Sequence, residues 1–238
     1  MKSKSFLLTV AFATLLPSLP GHIIAGEPAH DSASATVLNT EALERLRAGN
    51  KRFVDSLLEH PHQDAGQRTK LATSQHPFAV VLGCADSRTS PEVLFDQGLG
   101  DLFVVRVAGN VLNDETIGSI EYALEHLGAK LIVVLGHERC GAVKAAKAAV
   151  AANEEAHGHV KSLVTALKPA VEATKTLDAE ATAHANERRV AEALKQSEPV
   201  IKGMVDKGDV TVLRAHYDLD TGVVAFNPDA PEDNAKTQ

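Results

Sequence analysis

Residues 78–88 read Phe-Ala-Val-Val-Leu-Gly-Cys-Ala-Asp-Ser-Arg, and this stretch decides the fold. Its first half, Phe78 to Gly83, is a short unbroken apolar run, the pattern of a strand buried on both faces. The same pattern returns in Leu102-Phe-Val-Val-Arg-Val107 and in Leu131-Ile-Val-Val-Leu-Gly136. Helical segments separate the three runs. One spans Pro91 to Gln97; another spans Thr116 to Leu127, with Asn113 or Asp114 as cap and Gly128 as stop signal. Strands alternating with helices predict an α/β fold, a mainly parallel central sheet flanked by helices.

Outward from this centre, a long Ala- and Lys-rich region follows Gly141 and reads as helical to about Lys207, interrupted at Gly158, Pro169 and Pro199. A last strand, Val210 to Tyr217, meets Val223 to Phe226 across Asp218-Leu-Asp-Thr-Gly222. On the other side, Asn39 or Thr40 caps a helix from about Glu41 to Leu58, and a second helix covers Ala65 to Ser74. Residues 39–226 thus form one α/β domain, residues 27–38 a flexible leader and residues 227–238 a loose tail. The 238-residue length suits a single domain. A net charge of −7 argues against nucleic acid or an anionic membrane as main partner, since phosphate binding needs clustered Lys and Arg.

Lys2 and Lys4 precede an apolar run from Phe6 to Leu16, then Pro17, Pro20 and a small-residue Ile24-Ala25-Gly26 end. This is the layout of a secretory signal peptide over residues 1–26, and the run is too short to span a bilayer. The expectation is export, to a bacterial periplasm, with no membrane span in the mature form. Export sharpens the meaning of the two cysteines, because an oxidising compartment favours a disulfide.

Cys84 follows the first strand; His137 and Cys140 follow the third. The carboxyl ends of parallel strands share one edge, where loops converge on a crevice. Two thiolates and an imidazole make a three-ligand zinc site with one open position, the catalytic arrangement. On spacing alone, a Cys84–Cys140 disulfide and inert core thiols stay open. Asp86 and Arg88 stand in the same loop as Cys84. A carboxylate near a metal either seizes its open position or accepts a proton from the water there, and an arginine fork holds it in the second role. Otherwise the two are an ordinary surface ion pair. Zinc balanced by two thiolates carries no net charge, so it acidifies water less than a three-imidazole site and activity should rise at alkaline pH.

Cys-x-Asp-x-Arg at 84–88 with His-x-x-Cys-Gly at 137–141 resembles the β-class carbonic anhydrases. The likeness extends to Asp96–Asp101, Val105–Asn110, Gly118–Tyr122 and Tyr217–Gly222, and is weakest from Asp178 to Lys195. It implies a zinc enzyme interconverting carbon dioxide and bicarbonate, built as a homodimer or a dimer-based tetramer with the site at the subunit interface. By motif match, Cys84, His137 and Cys140 are the zinc ligands and Asp86 and Arg88 the catalytic pair, with Asp86 the fourth ligand in a closed state. Gln75 matches an amide donor to bicarbonate. Phe103 and Tyr122 match walls of the carbon dioxide pocket that come from the partner subunit. The presence of Gln75 and Tyr122 implies the type of site that keeps its water. The N-terminal helices form an arm that embraces the partner. Two other readings share these residues: a same-fold hydrolase of a related molecule such as carbon disulfide, and a non-enzymatic exported zinc- or redox-binding protein.

Overall fold

In the computed structural model, the residues described are 32–227; residues 1–26, read as a signal peptide, residues 27–31 of the expected leader and residues 228–238 of the tail lie outside them. The central strands are β1 (Ala79–Gly83) and β3 (Leu131–His137), every residue of both buried. With β2 (Leu102–Arg106), β4 (Thr211–Tyr217) and β5 (Val224–Phe226) they form a sheet of order β2-β1-β3-β4-β5. β1 to β4 run parallel, and β5 returns antiparallel along β4.

Alternate residues of each strand serve opposite faces. On one face Val80, Leu82, Ile132, Val134 and Val212 pack against α4 (Asp114–Leu127) and α7 (Ala179–Lys195) through Ile120, Leu124, Val190 and Leu194. On the other, Ala79, Val81, Leu131, Val133 and Ala215 meet Ala42 and Leu46 of α1 (Ser32–Val54), with Leu94 of α3 (Pro91–Leu94) and Phe95 beside it. A third apolar cluster, at the carboxyl ends of β1 and β3, contains Cys84, Cys140, Val143 and Leu167. It involves α5 (Gly141–Ala152) and α6 (Val160–Ala173). The short helices α2 (Ala65–Leu71) and α8 (Val200–Asp206) complete the set.

Two local devices match their sequence signals. Asn113 accepts from the Thr116 N–H while Thr116 reciprocates, a capping box, and Gly128 ends α4 in the left-handed region. Other expectations need correcting. The first helix starts at Ser32, inside the segment read as a leader, and ends at Val54 rather than Leu58. Asn39 is no cap: its side chain is buried and donates to Thr211 Oγ1 at 2.9 Å. β2 is not buried on both faces; it is the outermost strand and half-buried. Pro169 does not interrupt its helix but sits inside α6, where Arg189 Nη2 donates to the Ala166 carbonyl at 2.6 Å and supports the weakened turn.

Candidate metal centre and active site

The parallel sheet delivers the two cysteines to one place. Cys84 follows the last residue of β1, His137 is the last of β3, and Cys140 stands at the N-cap of α5. Ligand atoms of Cys84, His137 and Cys140 all lie within 4.8 Å of one another, and all three residues are buried. The thiols are free, with sulfurs 4.0 Å apart, about twice the 2.05 Å of a disulfide. His137 Nδ1 donates to the Glu138 carbonyl at 2.8 Å, which fixes the tautomer and leaves Nε2 bare. That Nε2 is buried without a hydrogen-bond partner. An orphaned imidazole nitrogen facing two thiols is a donor set that fits zinc.

The electrostatics agree. Hydrogen bonding with Cys140 pulls the Cys84 thiol to about 4, against the opposing cost of burial, with help from His137 and the Gly109 N–H. The same contact and burial push the Cys140 thiol up. The pair therefore holds one negative charge readily, and a cation is what would let it hold two.

Arg88 grips Asp86 as a fork. Its Nε donates to Oδ1 at 2.9 Å and Nη2 to Oδ2 at 2.7 Å, and its backbone N–H adds a third bond to Oδ1 at 3.0 Å. These bonds, from the guanidinium first, hold the Asp86 carboxyl well below the usual carboxylate range.

A family profile described as carbonic anhydrase matches residues 79–224. Carbonic anhydrase 2 of Mycobacterium tuberculosis is 41% identical over 184 residues, 76% of this chain and 89% of that one. Among solved structures, the β-carbonic anhydrase CafA of Aspergillus fumigatus is 28% identical with a TM-score of 0.58, covering 82% of this chain and 89% of that one. A tetrameric β-carbonic anhydrase from Sordaria macrospora, 23% identical, shares the fold at a TM-score of 0.60, over 82% of this chain and 97% of that one. The chain belongs to the β-carbonic anhydrase family.

In this β-carbonic anhydrase the carboxyl edge of the sheet gathers Cys84, Asp86, Arg88, His137 and Cys140, but not the other three expected residues. Phe103 pairs with Val80 near the start of β1, and Gln75 precedes that strand. Gln75 and Tyr122 line a separate cleft of about 680 Å³ with Leu71, Leu99 and His126. The Phe103 and Tyr122 rings stand 6.4 Å apart. These three residues therefore occupy the opposite end of the strands from Cys84.

Four supporting residues escaped the sequence reading. Arg106, at the end of β2 opposite Gly83, donates to the Cys84 carbonyl at 2.9 Å and the Asp86 carbonyl at 2.6 Å. Thr89 Oγ1 donates to the same two carbonyls, at 3.3 and 2.9 Å. The Gly109 N–H donates to Cys84 Sγ at 3.2 Å, and Asn186 of α7 holds the Gly109 carbonyl at 2.9 Å. Arg106 had a signal, its position at the same strand edge as Cys84. Asn186, so far along the chain, had none.

Proposed function

We propose that this β-carbonic anhydrase binds one zinc ion through Cys84, His137 and Cys140 and interconverts carbon dioxide and bicarbonate there. The observation that carries the reading is the buried, unpartnered Nε2 of His137 beside two free thiols. Bound zinc supplies Lewis-acid chemistry, acidifying water at its open position. The chain's own groups do the rest. Arg88 occupies two acceptor positions on Asp86 Oδ1 and one on Oδ2, so of about four lone-pair sites one on Oδ2 stays free. That remaining site accepts a hydrogen bond and orients the attacking oxygen. The depressed carboxyl does not keep the proton, so Asp86 orients rather than stores. With its oxygens held by Arg88, Asp86 is kept from becoming a fourth ligand, which favours the open form of the site.

The substrate walls come from a second copy of the chain. The partner subunit's Gln75 donates its amide to bicarbonate, while the partner's Phe103 and the partner's Tyr122 bound the apolar pocket. Supporting this are the half-buried outer strand β2 and a Tyr122 that is 49% exposed in one chain. A homodimer or a dimer-based tetramer covers that edge; the Sordaria protein is tetrameric. Residues 1–26 direct export to the periplasm. No helix among the described residues is long and apolar enough to cross a membrane.

Stopped-flow hydration of carbon dioxide, with and without a zinc chelator and beside Cys84→Ser, tests the reading. Activity that follows zinc content and vanishes in Cys84→Ser supports it. Full activity in a metal-free protein ends it.

A further inference from the structure

Behind the metal centre, α7 and β4 assemble a second set of ligand-type side chains that the carbonic anhydrase reaction does not use. Ligand atoms of Glu180, His184 and His216 lie within 4.8 Å of one another. The His184 and His216 rings lie with centroids 4.1 Å apart, tilted by 39°. Beneath them Glu187 is fully buried, with Oε1 2.6 Å from His216 Nδ1 and Oε2 3.2 Å from His184 Nδ1. One carboxylate thus engages the Nδ1 atoms of both rings. This carboxylate–histidine relay is the usual support behind metal-bound imidazoles.

The two Nε2 atoms converge on Glu180. Its Oε1 is 2.6 Å from His216 Nε2 and 3.9 Å from His184 Nε2. His216 Nε2, on a residue only 7% exposed, is thereby paired with the Glu180 carboxylate without the alignment of a hydrogen bond. Two imidazole nitrogens and a carboxylate oxygen this close together offer a cation three donors at one point. Around a tetrahedral ion bound at about 2.0–2.1 Å, ligand atoms stand roughly 3.3 Å apart, between the two separations of Glu180 Oε1, so it must move away from His216 Nε2 and toward His184 Nε2. It sits in the first turn of α7 with its side chain 36% exposed, which gives it that freedom and an ion a way in. The cradle also constrains β3: a Cβ on Gly136 would fall 1.8 Å from Glu187 Oε1.

We infer that Glu180, His184 and His216 form a second divalent-metal site, with Glu187 as its buried support. Two imidazoles and one carboxylate select a zinc-like transition ion over magnesium or calcium. An ion there ties α7 to β4 next to Gly136, the strand neighbour of His137. Through Asn186 on the same helix it also steadies the Gly109 turn against Cys84.

Cobalt titration of the tag-free protein, after its metals are removed, separates the two sites. Thiolate-to-cobalt charge transfer reports the cysteine site alone, and equilibrium dialysis counts all ions. Expected for the wild type are two ions per chain, with charge transfer complete after the first or unaffected by the second. In Glu180→Gln with His184→Ala the count falls to one and the charge transfer is retained. Glu180→Gln alone changes a partly exposed side chain and protects against a misfolded double variant; it should weaken the ion that adds no charge transfer by about tenfold or more. A wild type that saturates at one ion carrying the full charge transfer, or variants that bind as many ions as the wild type, would overturn the inference. Loss of charge transfer would instead count against the zinc site at the cysteines, so the two readings fail separately.

Discussion

At the scale of single residues, the Asp86–Arg88 fork invites a test that separates charge from position. Removing Arg88 lets the Asp86 carboxyl return toward about 3.9, still ionised at neutral pH. The charge survives and the orientation does not. Arg88→Ala should therefore keep its zinc and lose about 10- to 100-fold in kcat/KM, with no rescue on raising the pH. Arg88→Lys should recover only part, because an ammonium cannot reproduce the two-pronged grip. Stopped-flow rates beside zinc analysis check both. In the wild type the depressed Asp86 carboxyl stays ionised well below neutrality, so it contributes no acid limb there. Its favourable pairing is present above the unfolded carboxyl value and fades as pH falls through the folded one. Any rise in rate from about pH 6 to 9 then belongs to water at a charge-neutral metal site, and a flat profile would contradict that assignment. The gathering of Cys84, His137 and Cys140, and the fork beside them, was legible in the sequence because all stand at or just past the carboxyl ends of apolar strands. Glu187 was not, because nothing local marks a glutamate whose second partner, His216, stands on another element farther along the chain.

Among elements, the close seating of α1 on the sheet is set by small residues. A Cβ on Gly49 would lie 1.7 Å from the Phe95 carbonyl oxygen, a backbone atom that cannot turn aside. One residue on, Asn50 donates to the Leu94 and Gly222 carbonyls and accepts from the Val224 N–H, lacing α1 to β5 and to the end of α3. Gly49→Ala gains up to about 1 kcal/mol of helix propensity but must lift this seam, so the overlap wins. The expected result is a net loss of about 1–3 kcal/mol by denaturant unfolding. Gly203 in α8, with no atom within 4 Å of a built Cβ, is the counterpart: alanine there should stabilise by about 0.4–1 kcal/mol. Asp96 anchors the other end of the seam. It is buried and accepts from Arg52 Nε at 2.6 Å and from the Glu59 and His60 N–H groups at 3.0 Å. Burial opposes its charge, but these donors outweigh burial and hold the carboxyl low. Asp96→Ala leaves the two N–H groups unmatched, while the partly exposed Arg52 keeps Glu59 at 3.7 Å, and should cost about 1–3 kcal/mol. Helix existence was readable from periodicity, whereas the start of α1 was not. Asn39 has the chemistry of a cap, and only the assembled fold reveals that its amide is committed to Thr211.

On the scale of the whole molecule, the expected site residues fall at two opposite ends of the sheet. Cys84 lies past the carboxyl end of β1, while Gln75 lies before its start and Phe103 pairs near that start. Strand direction made this separation readable in advance; which neighbour closes the gap depends on assembly, which single-chain periodicity does not encode. If each site combines the metal ligands of one subunit with the Gln75 end of the other, two inactive variants should repair each other. Cys84→Ser removes the metal and Gln75→Ala removes the amide. In a mixed dimer one site carries both defects and the other carries neither, since its metal ligands and its Gln75 come from the two undamaged contributions. Denaturing and refolding an equimolar mixture should restore roughly a quarter of the wild-type sites, because half the dimers are hybrids and each has one intact site. The separately refolded parents provide the baseline, and restored activity should comigrate with a mixed species carrying distinguishable tags. If every subunit were self-sufficient, each chain in the mixture would keep its own defect and activity would stay at the average of the parents. Recovery above that average therefore reports the geometry directly, whether the final assembly is a dimer or a pair of dimers.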